Sequence, residues 1–216
     1  MKTLLAIAAL VSFQMATGQK KIELKDFKSI SIGSDTKVTL IKSSQNKLVV
    51  NGSDDESLSV LNEGGSLVLN GGEDLDITLY YKDNLESISA AADAEIYGKD
   101  EIKVNELTIT AAADAKVKLT INVKKLLTSA SSDSEVTING KATEHDAAIS
   151  SDAVFNGQDL LTENANIAVS SDGTAVVSVK GSVNATVSSD GSLTIYGNPK
   201  KVNEVTSEDG QIKIMR

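Results

Sequence analysis

Residues 128–157 read TSASSDSEVTINGKATEHDAAISSDAVFNG, and one phrase occurs in them twice: Ser131-Ser132-Asp133-Ser134 leading to Val136, and Ser150-Ser151-Asp152-Ala153 leading to Phe155. The phrase is two small residues, an aspartate, a third small residue, any residue and then an apolar one. Upstream it recurs at Ala91-Ala92-Asp93 and Ala112-Ala113-Asp114, downstream at Ser170-Ser171-Asp172 and Ser188-Ser189-Asp190, with a degenerate copy at Ser207-Glu208-Asp209. Successive aspartates lie 21, 19, 19, 20, 18 and 19 residues apart. A fixed period of this length marks one supersecondary unit per repeat, so each copy marks one turn of a regularly coiled chain.

Aligning the copies on the aspartate makes columns legible. Three residues after it stand Ile96, Val117, Val136, Phe155, Ala175, Leu193 and Ile212; five after it stand Gly98, Leu119, Ile138, Gly157, Val177, Ile195 and Ile214. Three before it stand Ala90, Ala111, Ala130, Ile149, Val169, Val187 and Thr206. These columns face a core. The residue just after the aspartate is always small, which marks a narrow corner where two strands meet at an angle. A coil of about 19 residues can bury its apolar face only against the next coil, which is the logic of a parallel β-solenoid. An antiparallel sheet of hairpins could share the period, but an identical corner in every copy favours a parallel stack, where equivalent residues sit above one another at about 4.8 Å. The leucine-rich phrase of similar length is missing.

Before the repeat, strands alternate in the half-buried way: Ile30 and Ile32, Val38 and Leu40, Leu48 and Val50, Leu67 and Leu69, then Leu75, Ile77 and Leu79. Gly64-Gly65 predicts a tight hairpin turn. Helical periodicity is absent. The predicted organisation is a signal peptide over 1–18, an N-terminal β region with the first coils over 19–84, and regular coils over 85–216, six to eight coils in all.

Composition narrows the function. Lys2, an apolar run from Leu4 to Met15 and Ala16-Thr17-Gly18 read as a cleavable export signal, and the run is shorter than the roughly 20 residues a spanning helix needs. The chain has no cysteine, 21 basic and 30 acidic residues; without Lys2 the mature balance is 20 − 30 = −10. Arg216 is the sole arginine. Such a chain lacks the positive face that phosphate backbones require, so nucleic acid is excluded as a partner.

The phrase Asp26-Phe27-Lys28-Ser29-Ile30-Ser31-Ile32-Gly33, the Gly-Gly hairpin, Leu75-Asp76-Ile77-Thr78-Leu79 with Leu85-Glu86-Ser87-Ile88, the repeated corners and the closing Ile195-Tyr196-Gly197-Asn198-Pro199 resemble the bacterial exported proteins called putative auto-transporter adhesin, head GIN domain. The resemblance spans nearly all of residues 22 to 216. It implies a right-handed parallel β-helix facing the outside of the cell, and it brings no catalytic residues. The family's corner is usually Ser-Gly-Ser-like, whereas aspartate holds the middle position here.

Candidate chemistry centres on the aspartate column. Carboxylates stacked about 4.8 Å apart repel by roughly 1 kcal/mol per pair in water, so something offsets them. One reading has each aspartate accepting hydrogen bonds from corner N–H groups and serine hydroxyls. The other makes Asp93, Asp114, Asp133, Asp152, Asp172 and Asp190 a ladder of oxygen ligands for calcium. Gly71-Gly72-Glu73-Asp74-Leu75-Asp76 and Asp54-Asp55-Glu56 read as charged turns. His145, between Glu144 and Asp146, reads as an exposed loop histidine, and the sequence carries no nucleophile elbow or histidine-pair zinc motif. A sugar site would need an aromatic platform, for which Tyr97, Tyr196, Tyr80 and Tyr81 are the candidates. The expectation is an exported, non-enzymatic, adhesin-like binding or structural module of the envelope, with a carbohydrate-binding or polysaccharide-active protein as the alternative. Its partner would be a protein or glycan at the cell surface. Self-association through the last rung is a third option that Lys213 and Arg216 discourage.

Overall fold

The computed structural model of the chain describes residues 19–51, 58–71 and 75–215. The predicted export signal, Asp54-Asp55-Glu56, Gly72-Glu73-Asp74 and Arg216 lie outside the described residues. Seven short strands come first: β1 (Gln19–Glu23), β2 (Ser29–Ile32), β3 (Thr36–Lys42), β4 (Lys47–Asn51), β5 (Ser59–Glu63), β6 (Ser66–Asn70) and β7 (Leu75–Tyr81). β8 (Ser87–Ala91) leads into five long strands, β9 (Glu95–Ala112), β10 (Lys116–Ala130), β11 (Glu135–Ile149), β12 (Val154–Val169) and β13 (Thr174–Val187). β14 (Ser192–Tyr196), β15 (Lys201–Thr206) and β16 (Gln211–Ile214) close the array, and the described residues contain no helix.

The long strands pair in parallel, β9 to β10 to β11 to β12 to β13, so the fold is a right-handed parallel β-solenoid with antiparallel strands at its N-terminal end. One flank runs β7-β3-β9-β10-β11-β12-β13-β14-β16, nine parallel rungs among the described residues against the six to eight expected. The extra rungs come from the N-terminal strands, whose plain alternation hides that they are coils too.

Each coil has three flanks, and the burial pattern of β12 displays them. Phe155 and Gly157 point inward, then Leu160 and Thr162, then Ala165, Ile167 and Val169, with the outward doublets Gln158-Asp159 and Glu163-Asn164 between. Each doublet shifts the inside-outside parity and turns the chain through a corner within one continuous strand. The sharp third corner is the repeated phrase. Variation in repeat length is absorbed away from that corner. Residues 98–100 of β9 stand opposite Leu119 alone, which accounts for the 21-residue spacing, and β12 shifts register against β13 between Gly157 and Asn164. The repeated corners stay aligned because every length change falls between them.

The core is a column of aliphatic side chains that includes Leu107, Leu126, Ile149, Ile167 and Val187, with Phe27 and Phe155 fully buried among them. Glycines in it make room for neighbours. A Cβ on Gly157 would lie 2.6 Å from the Phe155 ring, and one on Gly98 would lie 2.9 Å from Leu119. At the N-terminal end the solenoid is covered by antiparallel pairing of β4 on β7 and β1 on β4, and by the predicted hairpin of β5 and β6, whose Gly64 and Gly65 both have positive φ.

Candidate functional site

Two surfaces stand out: the stripe of repeated corners and the third flank, which leads into it. In every corner both middle residues are left-handed. Ala92 and Asp93 have φ of 53° and 63°, Ser132 and Asp133 of 53° and 59°, and Ser189 and Asp190 of 49° and 60°. The small residue after the aspartate donates its N–H to the carbonyl three residues back, as in Gly173 to Ser170 and Gly191 to Ser188, both 3.0 Å. Positive φ at both central positions is the mark of a type I′ turn, which favours Asn, Asp and Gly there. The aspartate is thus placed by backbone conformation, because its short polar side chain tolerates the left-handed region better than most.

Stacking of the corners is a backbone affair as well. The Asp93 N–H donates to the Ala113 carbonyl of the next coil at 2.9 Å, Asp114 to Ser132 at 3.0 Å, Asp133 to Ser151 at 3.0 Å and Asp190 to Glu208 at 3.1 Å. The aspartate side chains themselves are exposed. This differs from the expectation that corner N–H groups and serine hydroxyls bond the carboxylates: the N–H groups of the aspartate and of the residue after it go to carbonyls instead. Among the described residues no group of three or more histidine, aspartate or glutamate side chains converges so as to hold a metal ion. The buried residue after each of the six regular aspartates, Asp93 to Asp190, sets the corner's radius. Ser134 adds a hydrogen bond from Oγ to the Ala111 carbonyl at 3.1 Å, while Ala94, Ala115 and Ala153 are fully buried.

The third flank presents two outward columns. One runs Thr108, Leu127, Asp146, Asn166, Asn184, Asn203. Its C-terminal part is a ladder: the Asn203 amide donates to Asn184 at 2.6 Å, Asn184 to Asn166 at 2.7 Å and Asn166 to the Asp146 carboxylate at 2.7 Å. All three amides donate in one direction, and a carboxylate is the acceptor at the end. That amide, with Lys125 at 3.4 Å, holds the Asp146 carboxyl below its ordinary range. The second column runs from Leu61 through Val68, Ser31, Ser89, Thr110, Ser129, Ala148, Ala168 and Thr186 to Val205. It is uncharged along its whole length. Beside the ladder the small residues leave a shallow trough of about 570 Å³ floored by Ala148 and Ala168.

The first flank is different in character. Its outward column Lys37, Glu95, Lys116, Glu135 alternates in sign, with Lys37 and Lys116 at 3.9 and 3.8 Å from Glu95. Tyr97 lies here, its hydroxyl donating to Glu95 at 3.0 Å, under the Lys37 ammonium. Tyr80 carries Lys47 over its ring, and Tyr196 sits beside Ser178 near the other end. Tyr81 is buried, which with Asp100 nearby pushes its hydroxyl up to about 12. The tyrosines therefore sit at separate places rather than forming one platform, and the corner aspartates do not join them.

His145 corrects the reading of an exposed loop histidine. It is 1% exposed, in β11, in the inward column between Leu126 and Ala165. Thr143-Glu144 is an outward doublet, so the parity shift turns His145 in and leaves Glu144 and Asp146 out. Its Nε2 shares a hydrogen bond with Thr128 Oγ1 at 3.1 Å, and its ring lies tilted 5.1 Å from Phe155. Burial pushes the imidazole down to about 4, with Asp146 opposing weakly.

A solenoid whose outward side chains form columns at rung spacing, and whose described residues gather no metal-binding group, defines a class of proteins that present long repetitive flanks. The chain belongs to the family described as putative auto-transporter adhesin, head GIN domain, whose model matches residues 26–199. A search of curated proteins returns no match. Among solved structures it is similar to a putative adhesin from Bacteroides fragilis at 17% identity, covering 91% of this chain and 96% of that one with a TM-score of 0.83. It is also similar to a putative adhesin from Parabacteroides merdae (17% identity, 92% and 95% covered, TM-score 0.75). A structure from Parabacteroides distasonis described as a putative lipid binding protein matches at 15% identity, 92% and 96% covered, with a TM-score of 0.68.

Proposed function

We propose that the protein is an exported, non-enzymatic β-helix that serves as an adhesin-like binding or structural module, in the periplasm, on the outer surface or secreted. The observation that carries this is the repetition itself: corners and flanks offer many equivalent rungs, whereas catalysis needs one convergent set of groups. Family membership and the adhesin descriptions of similar structures support it, as does the export-signal pattern of residues 1–18. Labelled mature chain, 19–216, should bind whole bacterial cells or matrix proteins saturably. Absence of saturable binding to either, with the fold intact by circular dichroism, would remove the adhesive half of the reading and leave the structural one.

Carbohydrate binding is the second reading, favoured by the amide ladder, whose donors and acceptors repeat along the trough at rung spacing. A glycan array with wild type and Asn184→Ala decides it: retention that the substitution weakens supports a sugar site. For the aspartate column, thermal melts in chelator and in millimolar calcium, with magnesium as control, are expected to coincide. A calcium-specific rise in Tm would instead make Asp93, Asp114, Asp133, Asp152, Asp172 and Asp190 ion ligands.

A further inference from the structure

The third flank, among the described residues, is nearly free of charge, flat and uncovered, while the first flank carries alternating lysine and glutamate. Depletion of charge is one compositional mark of an interface core. We propose that two copies of the chain pack face to face across this flank, about a two-fold axis that lies along the strands between the Thr110 and Ser129 rungs. The choice of axis follows from the column's two ends. Leu61, 53% exposed, stands at one end and Val205, 60% exposed, at the other, and they are two of the three large apolar residues exposed on the chain's described surface. A two-fold along the strands reverses the rung order, so Leu61 of one copy lands on Val205 of the other.

The same operation matches the ladder column. It brings Asp146 of one copy opposite Ser87 of the other, a hydroxyl donor facing a carboxylate, and Asn166 opposite Ser29. No like charges meet. Ten rungs span nine spacings of about 4.8 Å, or about 43 Å, and five residues at about 3.3 Å give about 17 Å of width. Each copy would then bury about 700 Å², about 1,400 Å² in total, within the range of stable interfaces. In the second column the small residues at the centre let the two sheets approach, and beside them Leu127 of one copy meets Thr108 of the other. End-to-end stacking is the poorer route: in the last rung Glu204 occupies the inward column that Ala185 fills one rung earlier, and an inward-pointing charge blunts a sheet edge. This pairing goes beyond the binding role and leaves the corner stripe and the charged first flank facing solvent.

The experiment is light-scattering mass measurement of the mature chain from 1 to 200 μM, on wild type and Ala148→Arg, whose side chain points outward and leaves the core intact. A dimer in wild type and a monomer with an unchanged melt in the variant are expected. Because the chain has no cysteine, a trap is clean: Leu61→Cys with Val205→Cys should form an interchain disulfide on mild oxidation, while either single variant should not. A monomer at all concentrations, a dimer indifferent to Ala148→Arg, or single cysteines that trap as well as the pair would overturn the proposal. So would a monomer that loses glycan binding in Ala148→Arg, which would give the flank to a sugar instead.

Discussion

At the scale of single residues, the corner is an expense that the stack offsets. A left-handed conformation costs a residue with a Cβ roughly 1–2 kcal/mol, and each corner holds two such residues, Ser151 and Asp152 for instance, at φ of 54° and 61°. Ser151→Gly removes that strain at an exposed position and should raise stability by about 0.5–1 kcal/mol after glycine's own entropic cost. Asp152→Asn should be neutral or slightly stabilising, and Asp152→Val should cost about 1–2 kcal/mol. Urea midpoints of the three variants check this; equal losses from Asn and Val would mean that the charge matters and the conformation does not. His145 gives a pH signature. Its ring is neutral in the fold, with a pKa near 4 against 6.5 ordinarily. The unfolded chain therefore binds a proton that the folded chain refuses between those values, and stability should fall as pH drops from about 6.5 to about 4, by at most about 3 kcal/mol. Unfolding midpoints of wild type and His145→Leu across pH 4 to 7 test it: the variant should start less stable, with Thr128 unpartnered, but lose less on acidification. Parallel slopes would show that carboxylates alone carry the acid response.

At the scale of elements, the amide ladder ties β11, β12, β13 and β15 together outside the core. Side-chain ladders of this kind add hydrogen bonds between rungs at the spacing that the backbone already imposes. Asn184→Ala breaks two of the three and should cost about 1–2 kcal/mol. Asn166→Ala should let the Asp146 carboxyl rise toward its ordinary value, since that amide is the first cause of its lowering. An NMR titration of Asp146 reads this directly, and an unmoved titration would assign the lowering to Lys125. The elements were unevenly legible in the sequence. Columns on either side of the aspartate carry a strict period, so the corner, its small inward residue and the first and third flanks could be read from residues 91 to 214. The second flank could not, because the bulge at residues 98–100 and the shift after Gly157 break the period there. The burial of His145 is hidden in the sequence for a related reason: two charged neighbours and one outward doublet mask a slip of parity that only the three-sided coil explains. The aspartate column was located by sequence, yet its cause, a pair of left-handed residues, has no signature when alanine and serine fill the first of the two positions.

At the scale of the whole molecule, the order of rungs departs from the order of the chain. On the third flank the stack runs β6-β2-β8-β9, and on the first β7-β3-β9. The coil laid down first, β2 with β3, is thus enclosed between a later coil on its outer side and the start of the regular array on its inner side. Residues 82–86 cross over it, and polar contacts pin them: Glu86 N–H to the Lys28 carbonyl at 2.7 Å, Lys82 N–H to Asn46 Oδ1 at 2.7 Å, and the Lys42 ammonium to the carbonyls of Lys82 and Asp83 at 2.8 and 3.0 Å. A fragment of residues 85–216 would keep every regular corner but lose the rung on which β8 and the start of β9 rest, baring Ile88 and Ile96. In a solenoid each repeat is stabilised by its neighbours, so the damage should fade over one or two rungs. Hydrogen exchange should show amides 87–98 protected in 19–216 and fast in the fragment, while 135–187 remain slow in both. Loss of protection through 135–187 as well would mean that the enclosed first coil holds the entire stack together and that the solenoid unfolds as one unit.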